Sequence, residues 1–157
     1  MTNIMRFVQV FALGTWVGAI IYFVAAVAPG AFTTLASRDE AGALVGYTLT
    51  RLHQLGVIAA ILYLLATLML ARGVKGVAQP AALAVILMLL LTIASQYVVR
   101  PRMATLRMEM GSVDSTPVEN PLRARFDRLH QASVQLEGAV LLVGIVAIFL
   151  TVSRKPL

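Results

Sequence analysis

The chain has no cysteine among its 157 residues. That absence excludes disulfides, thiolate metal centres and cysteine nucleophiles together. Charge is scarce as well: 13% of residues are Asp, Glu, Lys or Arg, while 59% are hydrophobic, against roughly a quarter and about half in soluble domains. A chain of this kind belongs in a bilayer. Glycine-rich phosphate loops, HExxH and GxSxG patterns are missing, and no nucleophile stands beside an evident base, so the expectation is a non-catalytic protein. Histidine is nearly absent. His53 and His130 are the only two, and each sits in a copy of the tetrapeptide RLHQ, at 51–54 and 128–131.

What is present is apolar length. The stretch 7–28 carries Gln9 as its one strongly polar residue; as a helix it would run roughly 33 Å, against a hydrocarbon core of about 30 Å. Three further runs, 52–71, 81–99 and 136–152, come near the crossing length. Hydrocarbon leaves backbone groups no water to bond, so the spans are expected to be helices. The first run exceeds the roughly 7–15 residues of a signal h-region, and Pro29 directly after Ala26-Val27-Ala28 opposes cleavage, so it reads as a permanent span. The expectation is an all-α integral membrane four-helix bundle, a single transmembrane domain over 1–157.

Start signals lengthen two of the helices. Ser37 and Glu40 in SRDE have the capping-box spacing, which predicts a second helix from about Arg38 to Arg72. Asn120 followed by Pro121 predicts a fourth from Pro121 to about Ser153. Helices 2 and 4 would then stand beyond the bilayer on one face. Pro29 and Pro101, at equivalent places in the other two, are expected to kink or end them. The chain thus reads as two hairpins, 1–78 and 79–157, with an internal repeat or chance similarity as alternative origins. Either way both RLHQ copies lie at one face.

That face carries eight arginines mixed with six acids, whereas the termini and the 72–80 loop carry Arg6, Arg72, Lys75, Arg154 and Lys155 with no acid. Counting basic residues alone would put the RLHQ face in the cytoplasm. Because acids can pair with several of those arginines, the purely basic loops are weighted instead, placing both termini inside a bacterial inner or plasma membrane. The +6 formal charge suits anionic lipid and needs no nucleic acid.

The segments LGTWVGAIIYFVAAVAPGAF, RLHQLG and above all FDRLHQASVQLEG resemble the transmembrane-protein-205-like family, small four-span membrane proteins with a domain of unknown function. The resemblance implies fold and location and supplies no established reaction. Leu129, His130, Ser133 and Leu136 fit its closing motif, but Glu137 stands where Asn is expected.

His130, Ser133 and Glu137 share a helix face at i, i+3 and i+7. A carboxylate at the hydrocarbon edge needs a partner, and His130, His53 or Arg100 would serve. The candidate polar cluster is therefore His53, His130, Ser133, Glu137 and Arg100, with Arg51 and Arg128 beside the histidines. Two readings stay open. One is a non-catalytic, transport-related or complex-forming membrane component whose polar site on the RLHQ face meets a solute, lipid, membrane protein or second copy. The other is a metal or haem protein in which His53 and His130 ligate haem b, or with Glu137 a divalent metal. Blander features are Gly14 and Gly18, whose GxxxG spacing predicts close helix approach, within the bundle in preference to a dimer contact, and Met103, Met108 and Met110, read as packing residues rather than copper ligands.

Overall fold

The computed structural model describes residues 2–153 and is built from four long helices: α1 (Thr2–Thr34), α2 (Arg38–Ala71), α3 (Pro80–Met110) and α4 (Pro121–Val152). Each is long and apolar enough to cross a membrane. Side-chain chemistry sets the starts. The Glu40 amide donates to Ser37 Oγ at 3.1 Å, and the Leu122 amide to Asn120 Oδ1 at 2.9 Å, so both expected caps form. The stops use left-handed residues: Arg72 (φ 52) closes α2 and Gly111 (φ 73) closes α3.

The prolines do not end their helices. Each follows a π turn, Phe23–Val27 before Pro29 and Ser95–Val99 before Pro101, after which the helix runs on for a turn or more. Proline lacks the amide and clashes with the carbonyl four residues back; a wider π turn absorbs that misfit within a continuous helix. As a result all four helices project beyond the apolar layer on the RLHQ face, where only α2 and α4 were expected to do so.

Consecutive helices are neighbours and α4 returns to α1, giving a closed four-membered ring. Its exterior is apolar: Phe7, Phe11, Ile58, Leu65, Leu142 and Phe149 are exposed, as lipid-facing residues of a membrane bundle are. The interior uses small residues to bring backbones close. Ala60, Ala81, Ala82 and Ala147 are buried among Trp16, Ile20, Val85, Met88 and Val140. The glycine expectation needs correction. Gly14 and Gly18 face outward with nothing near them, whereas Gly56 and Gly144 make the close approaches, to Trp16 and to Val17 with Met88.

Beyond the span, α2 is clasped to the 111–120 connection. Asp39 accepts from Ser112 Oγ at 2.5 Å and from the Val113 amide at 3.0 Å, and Asp114 accepts from the Arg38 amide at 2.8 Å. Donation from Ser112, reinforced by the Val113 and Asp114 amides and by the charge of Arg107, outweighs partial desolvation and holds the Asp39 carboxyl below its ordinary 3.8. A depressed folded value means the clasp contributes stability above pH 3.8 and loses it as pH falls through that depressed value. Asp39→Asn should weaken the clasp by about 1 kcal/mol at neutral pH and make no difference in strong acid. Hydrogen exchange at residues 111–119 checks this.

Candidate functional site

The bundle interior holds polar groups at two levels with an apolar plug between them. At the level near the termini, Gln9 Nε2 donates to Thr67 Oγ1 at 2.7 Å, and Tyr63 OH meets Thr151 Oγ1 at 2.7 Å. The hydroxyls of Thr67 and Thr151 donate in turn to the carbonyls of Tyr63 and Ala147, so this layer is a neutral hydrogen-bonded set. Trp16, Val17, Met88 and Val140 fill the middle.

The second layer, at the RLHQ rim, carries charge chemistry. His53 on α2 is 3% exposed and its Nε2 lies 3.2 Å from Glu137 Oε2 on α4, which is 7% exposed. These helices are diagonal in the ring, so the pair reaches across the bundle's axis. On the other side, His53 Nδ1 is 2.8 Å from Gln96 Oε1. Arg100 Nη1 donates to the same oxygen at 3.1 Å and also to Thr50 Oγ1.

This network fixes the proton. Arginine has only donors, so Gln96 must present its oxygen to Arg100. That oxygen can only accept from the imidazole, which makes His53 Nδ1 the protonated nitrogen. Nε2 then faces the Glu137 carboxyl with one proton between them, held on nitrogen as an imidazolium–carboxylate pair or on oxygen as two neutral groups. Ser95, one residue before Gln96, adds a buried hydroxyl with no partner among the described residues, a further acceptor and donor at this level.

Of the residues the sequence nominated, the structure joins His53, Glu137 and Arg100. Ser133 is buried one turn from Glu137. His130 does not join them. It is exposed and stacks on Phe126 with ring centroids 6.5 Å apart. The buried stripe of α4 runs Phe126, Ser133, Glu137, Val140, Gly144, Ala147; His130 lies on that face between Phe126 and Ser133 but is exposed, about 10 Å along the axis from Glu137. The metal set His53, His130, Glu137 and the bis-imidazole haem arrangement are therefore not assembled, and the described residues hold no group of three His, Cys, Asp or Glu placed to bind a metal. Arg51 and Arg128 are also exposed, bonded to Gln54 and Tyr47 and to the Ala124 carbonyl respectively.

Gln96 and Thr50 were missed. The signal for Gln96 was available: it is the only amide in the third apolar run and stands four residues, one helical turn, before Arg100.

No curated protein and no solved structure matches the chain. A family model does match, described as a domain of unknown function, over residues 11–112, which take in His53, Gln96 and Arg100 and stop short of Glu137. With four membrane-crossing helices and well over half its length matched, this integral membrane protein belongs to the Domain of unknown function (DUF4149) family.

Proposed function

We propose that this chain is a non-catalytic, transport-related membrane component whose working element is the one-proton centre formed by His53 and Glu137. One observation carries the reading. An ionisable pair sits buried at the hydrocarbon edge, with its histidine tautomer set by a charged arginine through a glutamine. Ionisable groups at that depth are expensive and mark ion or proton sites more often than they serve packing. Arg100 and Thr50 connect the centre to the RLHQ face, while the apolar plug closes it toward the termini. The basic termini and 72–80 loop favour the cytoplasmic side of a bacterial inner membrane for the opposite face. The likeness of FDRLHQASVQLEG to the transmembrane-protein-205-like family supports a membrane location.

Infrared difference spectroscopy of the protein in lipid nanodiscs, between acidic and alkaline buffer, tests the centre. Proton transfer at Glu137 should give a carboxyl band that vanishes in Glu137→Gln and moves in His53→Ala and Gln96→Ala, with Arg51→Gln leaving it in place. A spectrum in which Glu137→Gln removes nothing would end the proposal.

A further inference from the structure

On the RLHQ face a groove of about 530 Å³ opens between α3 and α4, lined by Arg102, Thr105, Leu106, Arg125, Arg128 and Leu129. We propose that this groove is a headgroup site for an anionic phospholipid of the surrounding leaflet.

Its depth fits. Arg102 stands one helical turn beyond Val99, where the third apolar run ends, and Arg128 lies about two turns before the fourth run. The difference between the hydrocarbon core and the full bilayer leaves roughly 5–7 Å of headgroup on each side, the level of Arg102; Arg125 and Arg128 start farther from the apolar layer on α4 and share the groove with Arg102 at its outer end. The charge fits as well. Three arginines line the groove and no acid does. Asp127, the acid nearest in sequence, is already engaged by Arg123 at 3.2 Å. Among the described residues neither Arg102 nor Arg125 has an ion-pair partner, and Arg128 spends only its Nε on a backbone carbonyl. Guanidinium groups bind phosphate with paired N–H donors. Leu106 and Leu129 give the groove an apolar floor, which suits the glycerol and first acyl carbons of a lipid and is wasted on a free anion.

The other arginines of this face serve the fold. Arg100 holds Gln96, Arg107 lies over the Phe126 ring at 5.5 Å, and Arg123 bonds Asp127 and the Val113 carbonyl. Arg51 bonds Tyr47 and Gln54, and Arg38 stands apart on α2; the three in the groove are the ones that converge on a shared apolar floor, and a phosphodiester suits them.

Native mass spectrometry of detergent-solubilised protein tests this, using phosphatidylglycerol and phosphatidylcholine added at equal concentration. Wild type should retain one phosphatidylglycerol, preferred at least tenfold over phosphatidylcholine. Arg102→Gln/Arg125→Gln/Arg128→Gln should lose that preference by more than tenfold, and the triple lysine variant should keep most of it. Circular dichroism confirms that both variants are folded; all three side chains are exposed, so neither substitution removes packing. Equal retention of the two lipids by wild type, unchanged preference in the glutamine variant, or displacement of the lipid by millimolar inorganic phosphate would each overturn the assignment, the last by identifying a soluble phosphate as the occupant.

Discussion

Gly56→Val should unfold the bundle or lower its thermal midpoint in detergent by the largest margin of any single methyl-scale change. A Cβ at position 56 would lie 2.4 Å from Trp16 Nε1 and 2.5 Å from its Cε2, well inside van der Waals contact. The indole has no room to retreat, being 1% exposed and wedged in the core. Overpacking of a tight core costs typically 1–3 kcal/mol, and a β-branched side chain against a rigid ring in the bundle's centre belongs at or above the top of that range, about 3 kcal/mol. Shortening the ring in a Trp16→Leu background should recover much of the loss. Gly14→Ala and Gly18→Ala, with nothing within 4 Å of either added Cβ, should change the midpoint little. Scanning fluorimetry or circular dichroism melting across these variants decides the point, and equal effects at positions 14 and 56 would show that the α1–α2 packing is wrong.

The second large effect concerns the buried pair. Glu137→Leu leaves His53 with Nδ1 committed to Gln96 and Nε2 facing hydrocarbon. Breaking a buried pair by removing one partner costs on the order of 3 kcal/mol, whereas replacing both partners by apolar groups is often neutral or stabilising. His53→Leu/Glu137→Leu should therefore be more stable than Glu137→Leu alone, and near wild type in its melting, while lacking the titrating carboxyl band. Such a result separates function from structure: a pair whose double removal costs little is retained for what it binds. A double variant as unstable as the single would make the pair a structural strut. Transmembrane hydrogen bonds between neutral groups average less than about 1 kcal/mol, so the gap between single and double variants also reports whether the pair is ionised.

Much of this was legible in the sequence because it is local. Hydrophobic length identifies spans, and the Ser37 and Asn120 caps depend on side chains two or three residues from the amides they meet. Two kinds of error arose from information that is not local. An apolar helix has no polar face to fix its rotation about its own axis, so Gly14 and Gly18 read as packing glycines when Gly56 and Gly144 make the close approaches; His130 shares the face of Glu137, as its spacing predicts, but lies about 10 Å along the axis, where it is exposed. The prolines are read as kinking or ending their helices; the π turns that absorb them leave no composition signature, and the helices run on past both, which overturns the ending. The cross-bundle pairing of His53 with Glu137 is among the alternatives open to the sequence, but Gln96 is needed to choose it, and its contact with His53 joins residues far apart in the chain.

The rarity of histidine makes the central geometry directly measurable. With only His53 and His130 in the chain, solid-state NMR of histidine labelled with nitrogen-15 and glutamate labelled with carbon-13 in lipid bilayers resolves both rings. A short-range contact from the His53 Nε2 to the Glu137 carboxyl carbon, absent for the water-exchanging ring of His130 and lost in Glu137→Gln, is the expected result. A carboxyl contact at His130 instead, or none at either ring, would contradict it.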